Sequence, residues 1–234
     1  MFDEPVTNGG AGANLDYARR REKEEKLKFY FIRHGQTTCN AAGKHQGWGP
    51  IGLTDKGFAQ AKAAREYISP IRFDRIYASD LLRTRQTAEV IFPDEYHSGK
   101  ISFEAELREV DTGALYGMGY DDLYPIFGDE YARRRLELDC GPYGAESSQH
   151  LRARVGQFMK KLEALSSSEP SLERIAIVAH GGIIRSALAI ITGQPEDVPV
   201  GRLPVLIDNC SVTVLEYKSS RWRIVQLNYH GKLV

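Results

Sequence analysis

Cysteine is scarce in this chain of 234 residues, and its three copies, Cys39, Cys140 and Cys210, lie far apart. That excludes a disulfide framework and a cysteine metal cluster, and it fits a reducing compartment. Long apolar runs are missing too. No stretch approaches the roughly 18 residues of a membrane span, and the first residues lack the basic-then-apolar pattern of a secretory signal. A cytoplasmic location without membrane contact is therefore expected, and Asn209-Cys210-Ser211 carries no weight as a glycosylation sequon. Net charge is absent as well: 31 basic and 31 acidic residues cancel. Bulk attraction to nucleic acid is thereby excluded, although a locally basic pocket is not. Internal repeats are lacking, and the only linker-like tract is SSSEPS at 166–171.

What is present has globular composition, with 42% hydrophobic and 26% charged residues, enough for one α/β domain. Residues 1–27 differ from the rest. Gly-rich MFDEPVTNGGAGANLD leads into the mixed-charge run YARRREKEEKLK, which reads as a flexible polar segment ahead of a single domain at 28–234.

Residues 28–33 form an aromatic-rich apolar run expected to be a buried strand. Thr54 is placed to cap a helix reaching about Tyr67, with Pro70 as the stop. FDRIYAS (73–79) reads as a second strand, and Ser79 and Asp80 as caps for a helix from Leu81 to about Ile91. One helix is expected around 128–138. Leu151, Val155, Phe158, Leu162 and Leu165 mark one face of a long helix that starts near Glu146. RIAIVAH (174–180) is the clearest strand, followed by a helix from Gly181 to about Ile191. SVTVLEY (211–217) and RWRIVQLN (221–228) form a hairpin, which also offers a sheet edge for a homodimer. Alternating strands and helices predict a three-layer α/β/α fold with a mostly parallel central sheet and the hairpin at one end.

In such sheets ligands bind beyond the carboxyl ends of the strands, where His34, Ser79 and His180 all fall. Arg33 precedes His34, and Arg83 sits on the first turn after the second strand. Arginine presents a planar, permanently charged fork suited to phosphate oxygens. An imidazole between two guanidiniums is held neutral, because protonation would add a third positive charge. A neutral ring is a nitrogen nucleophile, so the pattern points to phosphoryl transfer through histidine.

RHGQTTCN (33–40) resembles the RHGxxxxN signature of the histidine phosphatase superfamily, which includes the cofactor-dependent phosphoglycerate mutases. YASDLLRTRQTA (77–88), LREVDTGALYG (107–117) and VAHGGIIR (178–185) resemble its later motifs, in order, across residues 29–230. The resemblance implies a phosphoglycerate mutase-like fold. It implies that His34 is phosphorylated during turnover and that Arg33, Arg83 and His180 complete the pocket. Glu109 falls at the family's proton-donor position, with Asp111 as rival. Asn40, Gln46 and Gly47 match loop positions near the phosphate, and Gly181 can offer a backbone N–H at its helix opening.

Other readings carry less. GWGPIG (47–52) has the spacing of a dinucleotide fingerprint but lacks the strand and helix that must flank one; it reads as an active-site loop. His34, His180 and Glu109 lack zinc-ligand spacing, and two arginines would repel a cation, so no metal is expected. Arg133, Arg134 and Arg135 are available to a second acidic group on the substrate or to a solvated helix face. Glu146 reads as a charge at a helix start. The short stretch from Gly117 to Glu146 lacks the insert of a glycolytic mutase and favours a phosphatase acting on a small phosphorylated metabolite, without cofactor. A mutase using 2,3-bisphosphoglycerate is the alternative, and a catalytically inert phospho-ligand-binding module the second.

Overall fold

The computed structural model describes residues 26–119, 121–125, 128–129, 144–196, 198 and 203–231. Most of the expected amino-terminal segment, most of the expected helix around 128–138, and Arg133, Arg134 and Arg135 lie outside the described residues.

Six strands make one sheet in the order β3-β2-β4-β1-β5-β6. In chain order these are β1 (Lys26–Arg33), β2 (Arg75–Ser79), β3 (Ile101–Glu104), β4 (Arg174–Ala179), β5 (Val212–Lys218) and β6 (Arg221–Tyr229). β1 pairs in parallel with β4, and β2 with both β4 and β3; β5 runs antiparallel to β1 and β6. The helices include α1 (Thr38–Ala41), α2 (Asp55–Ile68), α3 (Leu82–Ile91), α4 (Pro93–His97), α5 (Ser148–Ser168) and α6 (Gly181–Ile191).

Strand alternation assigns the layers. Phe29 and Phe31 of β1, with Ile175 and Ile177 of β4, pack under α5 and α6 through Val155, Phe158, Leu162, Ile183 and Ala187. Tyr30 and Ile32, one residue out of step, face α2 and α3 through Ala61, Ala64, Ile68, Ala88 and Ile91. Both faces are therefore covered, which is why β1 and β4 read as unbroken apolar runs rather than as alternating ones.

The expected elements recur with shifted ends. β1 begins at Lys26, because Lys26 and Leu27 already pair with Lys218 and Tyr217 of β5. β2 starts only at Arg75. Thr54 caps α2 as expected, its side chain accepting from the Gly57 amide, while α5 starts at Ser148 with Ser147 as its cap. The cap expected for α3 is different: Leu81 is the N-cap residue and supplies no side-chain bond. Ser79 still belongs to the strand, and its hydroxyl is used elsewhere. β3, α1 and α4 have no counterpart in the sequence reading. The hairpin turns at Ser219 and Ser220, both at positive φ (50° and 59°), the geometry that matches strand twist but favours glycine or asparagine. β6 ends the sheet with Ile224, Leu227 and Tyr229 exposed.

Candidate active site

The parallel strands end at one place. β1 delivers Arg33 and His34, β2 delivers Ser79, and β4 delivers His180, the N-cap residue of α6. The His34 and His180 rings lie 5.1 Å apart between centroids. His34, Arg83 and His180 are fully buried. Gly35 must be glycine for this approach: a Cβ there would meet the Gly57 carbonyl oxygen at 2.5 Å.

Hydrogen bonds fix both tautomers. His34 Nδ1 lies 2.7 Å from the Gly35 carbonyl oxygen, which can only accept, so Nδ1 carries the proton. Burial pushes this imidazole well below the ordinary histidine range, and Arg83 and Arg33 push the same way. The ring is neutral, so Nε2 keeps its lone pair, and Nε2 is buried without a hydrogen-bond partner among the described residues. Arg83 Nε donates to His180 Nδ1 at 3.2 Å, which leaves the His180 proton on Nε2, donated to Ser79 Oγ at 2.9 Å. His180 is likewise depressed, by burial first and then by Arg83. The sequence reading credited the arginines; burial is the larger cause.

Arg83 is held by the GWGPIG loop. Its Nη2 donates to the Gly47 carbonyl at 2.8 Å and its Nη1 to that of Gly49 at 3.4 Å, so these glycines orient a guanidinium. Gly47 has a φ of +41°, and a Cβ there would meet Thr112 Oγ1 at 2.5 Å. Burial lowers Arg83 to about 10, which leaves it cationic at neutral pH. Arg33 Nη1 donates to the Ile207 carbonyl at 2.6 Å.

A pocket of about 290 Å³ adjoins this cluster, its lining including Arg33, Asn40, Gln46, Gly47, Glu109 and Gly181. Glu109 accepts from the amides of Val110 (3.0 Å) and Gly182 (3.3 Å). Its backbone is braced from outside. Trp48 Nε1 donates to the Glu109 carbonyl at 2.7 Å, and Arg154 reaches the carbonyls of Glu106 and Arg108 while pairing with Glu146 at 2.7 Å. Glu146 is thus the counter-charge of that brace. Arg108 grips Asp80 through two hydrogen bonds and holds its carboxyl below the usual range. Asp111 accepts from the Gly113 amide at 3.0 Å and does not line the pocket, which leaves Glu109 as the carboxylate facing it. Asn40 closes a capping box with Thr37, and Gln46 Oε1 accepts from the Thr37 hydroxyl at 2.9 Å.

Three contributions are not visible in the sequence: the bond made by Ser79, which falls at the strand end but reads as a helix cap, the tie made by Asn209 of the discounted sequon, and the brace from Trp48. Asn209 Nδ2 donates to the His34 carbonyl at 2.9 Å and to Asn40 Oδ1 at 3.3 Å, tying two segments of the site together. Its signal was position, since it lies just before β5, which neighbours the end of β1.

Proteins of similar sequence include a probable phosphoglycerate mutase GpmB from Salmonella paratyphi A, 33% identical over 84% of this chain and 87% of that one. Another of that name, from Citrobacter koseri, is 34% identical over the same shares. Among solved structures, a mycobacterial glucosyl-3-phosphoglycerate phosphatase complexed with VO3 is similar at a TM-score of 0.73 with 27% identity, covering 88% of this chain and all (100%) of that one. Alpha-ribazole phosphatase from Shigella flexneri shares the fold at a TM-score of 0.76 with 23% identity, covering 89% and 99%. The family model of the histidine phosphatase superfamily, branch 1, matches residues 29–230, the span that carries every strand-end residue described above. The chain belongs to that superfamily.

Proposed function

We propose that the protein is a metal-independent phosphatase that hydrolyses a small phosphate monoester through a phosphohistidine on His34. The observation that carries this reading is the free lone pair of His34 Nε2, on a buried neutral ring beside two arginines.

The chemistry runs in two displacements. His34 Nε2 attacks phosphorus while the ester P–O bond breaks, and the Glu109 carboxyl gives its proton to the departing alcohol. Arg33 and Arg83 balance the charge on the phosphoryl oxygens, and His180 borders them. Glu109, now a carboxylate, takes a proton from water as its oxygen attacks phosphorus. The P–N bond breaks, its electron pair returns to Nε2, and inorganic phosphate leaves.

A mutase is the second reading, favoured by the names of the sequence relatives at 33% and 34% identity. Water as acceptor is supported by the short 117–146 stretch and by the likeness to a phosphatase over its full length. The test is turnover of a phosphate monoester panel with chelator present, beside 3-phosphoglycerate supplied with 2,3-bisphosphoglycerate. The phosphatase reading expects free phosphate and no isomerised glycerate. Rapid isomerisation without net phosphate release supports the mutase, and no reaction in either assay supports an inert phospho-ligand module.

A further inference from the structure

Trp48 is 41% exposed, so burial alone does not explain a tryptophan at this place. Its Nε1 donates to the Glu109 carbonyl at 2.7 Å, much closer than Arg154 Nη2, which reaches the same oxygen at 3.5 Å. The ring is held in turn by charge. The Arg108 guanidinium lies over it, 5.0 Å from the ring centroid, and is itself fixed by two hydrogen bonds to Asp80.

Covalent geometry carries the effect of that indole bond to the carboxyl. The Glu109 carbonyl and the Val110 amide belong to one planar peptide unit. At one end of the unit the carbonyl oxygen accepts from Trp48; at the other, the Val110 N–H donates to Glu109 Oε1 at 3.0 Å. Turning the unit would swing that N–H away from the carboxyl and leave the longer bond from the Gly182 amide, at 3.3 Å, to hold it. A donor on the carbonyl also polarises the unit, which strengthens its N–H as a donor.

Trp48 also stands between the two residues whose carbonyls receive Arg83, Gly47 at 2.8 Å and Gly49 at 3.4 Å. Both glycines are packed too closely for a side chain, since a Cβ would meet Thr112 Oγ1 at 2.5 Å or the Tyr116 ring at 1.9 Å. Residues 47–49 thus form a clamped strap, with a guanidinium of the phosphoryl site on its backbone and the Glu109 peptide unit on its side chain.

We infer that Trp48 is a positioning residue: its indole N–H sets the peptide unit that aims the Glu109 carboxyl at the leaving oxygen, in register with Arg83. The inference rests on the reading of Glu109 as the proton donor.

Trp48→Phe keeps an aromatic ring beside Arg108 and deletes the N–H. An alkyl phosphate needs the proton that Glu109 delivers, whereas an aryl phosphate expels a stable phenolate without it. In this variant kcat/KM for glycerol 3-phosphate should fall about tenfold more than kcat/KM for nitrophenyl phosphate, roughly the worth of one well-made hydrogen bond. An equal loss on both esters, or no loss on either, overturns the inference, because a merely structural residue does not sort substrates by their leaving group. Hydrogen exchange at the Val110 amide, followed by NMR, reads the same contact without turnover. It should accelerate at least about tenfold in Trp48→Phe, and an unchanged rate also overturns the inference. A wild type silent on both esters, whose Val110 amide still responds to Trp48→Phe, would sink the phosphatase reading and leave the positioning of the carboxyl standing.

Discussion

Burying two neutral histidines makes the fold itself sensitive to acid. His34 and His180 are fully buried, and burial holds both well below the ordinary imidazole range. In the unfolded chain each should titrate near about 6.5. Below that pH the unfolded state takes up protons that the native state does not, so stability falls as pH falls, until the depressed native values are reached. The limiting slope is about 1.4 kcal/mol per pH unit for each histidine. Between about pH 7 and about pH 5 the upper limit is about 2 kcal/mol per histidine and about 4 kcal/mol for the pair, approached as the native values fall below that range. Urea unfolding across that range checks it in wild type, His34→Asn and His180→Asn. Each variant should lose about half of the wild-type pH dependence, since burial, the first cause, still acts on the remaining ring. Variants whose midpoints track wild type with an unchanged slope would refute the reasoning.

Three further substitutions probe the site and its frame. At Gly182 a Cβ would fall 2.2 Å from Glu109 Oε1, so Gly182→Ala should displace the carboxyl and slow esters with poor leaving groups at least about tenfold more than aryl phosphates; an equal loss on both would count against proton donation by Glu109. Ser79→Ala removes the acceptor of the His180 Nε2 proton, and leaving that buried donor unsatisfied should cost about 1–3 kcal/mol with a fall mainly in kcat; unchanged stability and kcat would mean that the Ser79 hydroxyl does not hold this proton. Ser220→Gly relieves a left-handed backbone at the β5–β6 turn and should raise Tm, by about 1 kcal/mol of stability; a lower Tm would contradict the turn assignment.

The frame and the residues gathered at the strand ends are legible in the sequence because they follow local rules. β1, β2 and β4 are buried on both faces and so appear as apolar runs, and each ends in a polar residue or, in β4, leads directly into one, His180. β3 escaped because its four residues (ISFE) pair only with β2, and the sole fully buried one is Ile101. Ser79 misled for a physical reason. A serine just before a helix usually caps it, but this one bonds His180, 101 positions away, and no local rule sees that partner. Trp48 and Asn209 act on backbone carbonyls 61 and 175 positions distant, which only the closed fold brings together. The neutrality of His34 follows in the sequence from its flanking arginines, while its larger cause, burial, and the same shift at His180 become visible only in tertiary structure.

The central claim is that His34 Nε2 accepts the phosphoryl group. The most direct measurement mixes enzyme with a turned-over monoester, quenches it in alkali within the first turnover, and maps the modified peptide by mass. The account predicts one phosphoryl group on the peptide containing Arg33-His34-Gly35, labile to acid and absent in His34→Ala. A phosphoryl group on any other residue, or steady turnover by His34→Ala, would contradict it.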